Sequence, residues 1–170
     1  MIRKSVAQMW ASYCAEAGLD AGAELPPVWH FCDTPHDADE CSRLVLAGLK
    51  RATAPSLWGF EHRGEALPSV GGLDIVTSWN GEAVAVIRTT RVAVVPYDQV
   101  SKEFAAVEGE GDGSLEYWRL VHSAYYAREL AGTSFTPAHD MPIVCQWFEV
   151  VYPPPSSDVC PPESIPTVEP

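Results

Sequence analysis

The dipeptide Asn80-Gly81 constrains the fold of this chain more than any other sequence feature. Asn-Gly readily adopts the positive φ angles that a two-residue hairpin turn requires. An apolar stretch at 73–79 precedes it, and a run of alternating residues at 83–95 follows it. The pattern predicts two antiparallel strands joined by a tight turn.

Helical patterns flank this hairpin on both sides. Apolar residues recur at helical spacing over residues 5–17, before Gly48, over 98–107 and over 114–130. A last apolar strand is predicted at 143–151. Because helices and strands alternate without a regular βαβ period, we predict an α+β fold with a small, barrel-like sheet.

The chain length of 170 residues predicts one folded domain, at residues 1–152. Residues 153–170 contain seven of the 15 prolines and neither Lys nor Arg, which predicts a disordered acidic tail. The five cysteines are odd in number and form no C-x-x-C pair, which argues against a disulfide scaffold and a zinc ribbon. No apolar run reaches the ~18 residues of a membrane span, so a cytoplasmic protein without a membrane partner is expected.

The formal net charge of -12 limits the kinds of partner. Proteins that grip duplex DNA carry clustered Lys and Arg, because these residues displace counterions from phosphates. The charge therefore argues against double-stranded DNA as a partner. It leaves room for a local pocket that holds one nucleotide or a short single strand.

The segment from Gly48 to Thr53 is the first candidate site. A glycine at the end of a helix turns the chain sharply, and the next residues then project from a fixed edge. Lys50 and Thr53 are three residues apart, a spacing at which an amine can meet a hydroxyl and take its proton. A structural interpretation stays open, in which Gly48 caps the helix, Lys50 is solvated and Thr53 opens a strand.

Other polar residues give weaker signals. The loop after residue 107 offers the carboxylates of Glu108, Glu110 and Asp112, which would repel phosphate but can accept a nucleobase amine or carry a proton. Arg88 shares a strand face with Val84 and Val86, so it either lines a cleft or pairs with an acid such as Glu110 or Asp33. His30, Cys32, His36 and Cys41 lack a second ligand pair, and we predict no metal site and no cofactor.

Several separated motifs are spread over roughly residues 5–153. They are Gly48-x-Lys50-x-x-Thr53, Trp29-x-Phe31-x-Asp33, Ile87-x-Thr89-Thr90, the run from Phe104 to Trp118, and Asp140-Met141-Pro142 through Tyr152-Pro153. Together they resemble the longer bacterial branch of the ASCH family, whose fold is a PUA-like β-barrel. Cys32 departs from the pattern, since we expect Gly at this position.

The resemblance implies a role on RNA or on a modified nucleoside. Members of the longer branch are associated with ribonuclease activity, and similar short members remove the acetyl group from N4-acetylcytidine. By motif, Lys50 is the expected base, Thr53 the nucleophile and Glu110 the acid. The residues expected to bind the substrate are Trp29, Asp33, Arg51, Trp58 and Arg88.

The sequence leaves two main functional hypotheses, beside a third possibility of a protein-interaction domain that uses the tail at residues 153–170. The first is a metal-independent hydrolase that cleaves either single-stranded RNA or the amide of a modified nucleoside. The second is a PUA-like module that binds RNA or a nucleotide without chemistry. A basic island of Lys50, Arg51 and Arg88 within an acidic protein favours a nucleoside, a nucleotide or a short strand as the partner.

Overall fold

The computed structural model describes residues 3–20 and 22–153. Apart from Pro153, the predicted acidic tail lies outside the described residues. The helices in this part are α1 (Lys4–Ala17), α2 (Pro35–Leu46), α3 (Leu57–Arg63), α4 (Lys102–Glu108) and α5 (Leu115–Glu129), with a 3₁₀ turn at Tyr97–Gln99. The strands are β1 (Val28–His30), β2 (Ala52–Thr53), β3 (Leu73–Thr77), β4 (Ala83–Pro96) and β5 (Pro142–Tyr152).

The five strands form one sheet in the order β1-β3-β4-β5-β2. The β3 and β4 strands pair antiparallel on either side of Asn80-Gly81, where Gly81 has a φ of 77°. The β1 strand runs parallel to β3, while β2 runs antiparallel to β5. Because β1 and β2 lie at opposite edges, the sheet is open among the described residues. The α+β class is confirmed, whereas the predicted barrel closure is not seen.

Side-chain caps begin most of the helices where the sequence provides a hydroxyl residue. Thr34, Ser56, Ser101 and Ser114 each accept a backbone N–H from the first turn of the following helix. Gly109 ends α4 in the left-handed region, with a φ of 72°. The Gly109 cap fixes the point at which α4 stops, and therefore the direction in which the acidic loop, residues 108–113, leaves the helix.

Three apolar clusters hold the helices against the sheet. One packs α4 and α5 on β5, with Phe104, Trp118 and Tyr126 at its centre. A second places α2 over one face of β3 and β4, and a third covers the opposite face of these strands with α1. Burial of the large aromatic side chains supplies about 1.5–3 kcal/mol each. The clusters leave a cleft between α2, α5 and the strands.

None of the helices in residues 3–20 and 22–153 is both long and apolar enough to cross a membrane.

Candidate functional site

The backbone of Lys50 is fixed by three elements. After α2 ends, Gly48 turns the chain with a φ of 78°, and the Lys50 amide donates to the Leu44 carbonyl at 3.1 Å. The Arg51 amide donates to Val107 O in α4 at 2.9 Å, and the Phe148 amide of β5 donates to Arg51 O at 2.9 Å. The Lys50 side chain is therefore held toward the end of α4, where the acidic loop begins.

The ammonium of Lys50 bridges two carboxylates inside the protein. Its side chain is 1% exposed, and Nζ lies 3.2 Å from Glu108 Oε1 and 2.5 Å from Glu110 Oε1. Burial alone lowers the pKa of a lysine, but the charges of Glu108 and Glu110 outweigh it here and raise the pKa of Lys50 above its ordinary value. Lys50 is therefore held as an ammonium in this arrangement.

Glu108 is the fully buried member of this trio. Its Oε2 accepts a hydrogen bond from Trp118 Nε1 at 2.5 Å and lies 3.6 Å from His122 Nε2. Burial opposes its ionisation, but Lys50, His122 and Trp118 together lower the pKa of Glu108 to about 2. Glu108 therefore anchors Lys50, whereas Glu110, with a side chain 19% exposed, reaches the cleft.

The cleft beside this trio has a volume of about 1130 Å³. Drug-sized ligands occupy pockets of roughly 300–1,000 Å³, so a nucleoside fits within it. Its walls carry five aromatic side chains, namely Trp29, Phe31, Phe60, Tyr117 and Tyr125. Its polar lining includes Thr53, Asp74, Thr89, Glu108, Glu110 and Gln146. Flat apolar walls and a polar group suit a planar ring that carries hydrogen-bonding groups.

Of the residues predicted from sequence, Thr53, Glu110, Trp29 and Asp33 line the cleft. Thr53 is half-buried in β2, and its hydroxyl makes no hydrogen bond with the described residues. Asp33 lies at the exposed rim, where Arg128 donates two hydrogen bonds to it at 2.6 and 2.8 Å. These bonds lower the pKa of Asp33 and occupy both of its oxygens.

The other predicted substrate contacts are not among the residues that line the cleft. Arg51 folds back on the end of α2, where it donates to Val45 O. Trp58 stacks on Phe135 at 5.2 Å, and Arg88 contacts Tyr13 and Glu149. The predicted basic island of Lys50, Arg51 and Arg88 is wrong, because each cation contacts different partners and Lys50 is buried between acids.

Sequence reasoning missed a polar group on the strands. Asp74 of β3 lines the cleft together with Thr89 and Gln146, and Gln146 Nε2 donates to Thr89 Oγ1 at 2.8 Å. Burial raises the pKa of the Asp74 carboxyl, although hydrogen bonds from Trp29 and Gln146 oppose the shift. The signal was present in the sequence, since Asp74 interrupts an otherwise apolar strand.

Two thiols lie against the same wall. Cys41 of α2 donates from Sγ to Glu110 Oε1 at 3.3 Å, and Cys32 Sγ lies 3.5 Å from Cys41 Sγ. The hydrogen bond with Cys32 and burial raise the pKa of the Cys41 thiol. Cys32 has a φ of 57°, a conformation that favours glycine.

The ASCH-domain family profile matches residues 27–152, which contain every residue of the cleft described above. The chain belongs to the ASCH family. The resemblance predicted from separated motifs is therefore confirmed, and with it a PUA-like fold of the RNA-binding kind.

Two solved structures resemble this ASCH domain closely. One is the ASCH domain from Lactobacillus crispatus JV V101, 31% identical, with a TM-score of 0.78, covering 88% of this chain and 95% of the other. The second is a protein from Enterococcus faecalis V583, 36% identical, with a TM-score of 0.79, covering 87% of this chain and 88% of the other. No curated protein matches the sequence.

Proposed function

We propose that this ASCH domain binds a modified nucleoside, or one unpaired nucleotide of a short RNA strand, in the cleft and acts on it as a metal-independent hydrolase. The observation that carries the proposal is the buried Lys50 ammonium, which holds Glu110 at the wall of an aromatic cleft that Thr53 also lines. A preorganised charge at the wall of a substrate pocket is an arrangement that stabilises charge during a reaction.

The charges of the cleft favour a nucleobase over a phosphate. Arg63 and Arg128 line it, but each pairs with acids: Arg63 with Glu65 and Glu129, and Arg128 with Asp33. The exocyclic amine of cytosine, by contrast, is a donor that a carboxylate accepts well. A nucleoside amide is therefore a better substrate than an RNA phosphodiester.

Three residues divide the work in the proposed reaction. Thr53 Oγ1 attacks the acyl carbon, its proton passes to Glu110, and Glu110 returns a proton to the departing amine. Water then hydrolyses the acyl-threonine. Lys50 orients Glu110 and balances its charge. The resemblance led us to expect Lys50 as the base, but Glu110 takes this role here because the raised pKa of Lys50 opposes loss of its proton.

The experiment uses purified protein, a chelator and N4-acetylcytidine, with release of acetate and cytidine as the readout. Single-stranded RNA is a parallel substrate. We expect turnover of the nucleoside, with roughly a hundredfold loss of rate or more in Thr53→Val and in Glu110→Gln. Glu103→Gln, an exposed change on α4, is the matched control and should retain the wild-type rate. If Thr53→Val is as fast as wild type, Thr53 is not the nucleophile.

Binding without chemistry is the second candidate, and the charge state of Lys50 favours it. An ammonium held by two carboxylates takes no proton from Thr53, so the pocket can recognise a base without activating a nucleophile. If the domain only binds, wild type and Thr53→Val should bind the nucleoside with equal affinity. No product should form over long incubation.

A further inference from the structure

Three side chains from separate parts of the fold converge on one wall of the cleft. Cys32 follows β1, Cys41 lies in α2, and Glu110 follows α4. Their potential ligand atoms all lie within 4.8 Å of one another. Two thiols and a carboxylate in this arrangement form a donor set of the type that binds a borderline-soft cation.

The separations between these atoms approach those of a tetrahedral metal site. With Zn–S bonds of about 2.3 Å and Zn–O bonds of about 2.1 Å, a tetrahedron has S···S edges of about 3.8 Å and S···O edges of about 3.6 Å. The corresponding distances are 3.5 Å for Cys32 to Cys41 and 3.3 Å for Cys41 to Glu110. Shifts of a few tenths of an ångström would bring these two edges to tetrahedral values, and the third edge, from Cys32 to Glu110, is within 4.8 Å.

The charge of the surroundings also suits a divalent cation. Lys50 supplies one positive charge against the two carboxylates of Glu108 and Glu110. When an ion binds, Cys32 and Cys41 each lose a proton to solvent, so the two new positive charges meet two new thiolates. The net charge of the wall is unchanged. Glu110 Oε1 can keep the hydrogen bond from Lys50 while it binds the ion, because loss of the Cys41 thiol proton frees the lone pair that accepted it.

We propose that Cys32, Cys41 and Glu110 form a binding site for Zn²⁺, with a fourth position open to the cleft. Neither His30 nor His36 belongs to the cluster. The ligand set therefore differs from the four His and Cys residues that lie close together in the sequence between residues 30 and 41. The third ligand comes from 69 residues further along the chain than Cys41. A bound ion occupies Glu110 and therefore inhibits any reaction in which Glu110 carries a proton.

The site is tested by titrating Co²⁺, as a coloured substitute for Zn²⁺, into the full chain after reduction and removal of metals. We expect one Co²⁺ per chain, a thiolate-to-cobalt charge-transfer band, release of about two protons, and displacement by Zn²⁺. Cys32→Gly removes one ligand and is compatible with the positive φ at this position, so it should fold. We expect it to weaken binding roughly tenfold or more.

Cys14→Ala is the matched control, since Cys14 is a buried free cysteine in α1 and outside the cluster. It should bind Co²⁺ as wild type does. The absence of a charge-transfer band in the reduced wild type would overturn the proposal, and so would equal affinity in Cys32→Gly. Because binding is read without any substrate, failure here does not depend on whether the protein is a hydrolase.

Discussion

The Lys50 ammonium is buried in an environment that by itself disfavours a charge. An ammonium removed from water costs several kcal/mol, and this cost is offset only when carboxylates and hydrogen bonds surround it closely. Glu108 and Glu110 provide both, and Trp118 and His122 in turn hold Glu108. The orientation of Glu110 in the cleft thus depends on groups that a substrate does not touch.

Acid should weaken the fold through Glu108. Its pKa is about 2 in the folded protein against an ordinary 4.5, so its stabilising effect is complete above pH 4.5 and is lost as the pH falls toward 2. We expect it to contribute about 3 kcal/mol to the pH-dependent part of the free energy of unfolding. Urea unfolding across this range should show a shallower loss in Glu108→Gln than in wild type. Glu16→Gln, an exposed control, should follow wild type; an equally steep loss in Glu108→Gln would contradict this account.

At the scale of single residues, the sequence motifs predicted which residues lie near the cleft in some cases and could not predict the position of others. The Gly48-x-Lys50-x-x-Thr53 spacing and the acidic loop led to Lys50, Thr53 and Glu110. The position of Arg88 could not be predicted, because strand alternation gives two faces without saying which one α1 covers. Arg88 lies on the face where Tyr13 of α1 contacts it.

At the scale of elements, the end of α4 determines where the acidic loop meets Lys50. Gly109 separates Glu108 from Glu110 and turns the chain with a φ of 72°. A Cβ at this position would overlap the carbonyl oxygen of Leu49 and lie 3.4 Å from Lys50 Cα. The junction between α4 and the Lys50 segment therefore has no room for a side chain.

Gly109→Ala should destabilise the protein for two reasons, the positive φ and the backbone overlap. Gly64→Ala is the matched control, because Gly64 ends α3 with a φ of 65° and has no atom within 4 Å of its Cβ position. The control should lose about 1–2 kcal/mol in the free energy of unfolding, and Gly109→Ala about 1–3 kcal/mol more. Equal losses in urea unfolding would show that the α4 junction can adjust without cost.

Periodicity found the long elements and, from a ten-residue pattern at 98–107, the short helix α4, but it missed β2 and α3. The hairpin, the last strand and the helices α1 and α5 follow patterns of nine residues or more in the sequence. The β2 strand has two residues and α3 has seven, which is too few for a period to stand out. The open sheet was also missed, because edge pairing depends on contacts between β2 and β5, far apart in the sequence.

At the scale of the whole molecule, the net charge of -12 and the paired arginines of the cleft limit how RNA can bind. The protein should therefore contact at most about two phosphates of a short single strand. A plot of log affinity against log salt concentration should then have a slope near −1.4 or shallower. Fluorescence anisotropy of a labelled oligonucleotide over a range of KCl measures this slope. A neutral nucleoside is the control, with a slope near zero. A steep slope that grows with strand length would indicate an extended RNA surface.

In the proposed function, the Glu110 carboxylate, held by Lys50, recognises a nucleoside in the cleft. The most direct measurement is calorimetric titration of N4-acetylcytidine, with chelator present, into Thr53→Val and into the double variant Thr53→Val/Glu110→Gln. The single variant lacks the nucleophile, so binding is measured without turnover. We predict that the single variant binds the nucleoside and that the added Glu110→Gln change weakens binding roughly tenfold or more. Equal dissociation constants, or no binding by either protein, would show that Glu110 does not recognise the nucleoside.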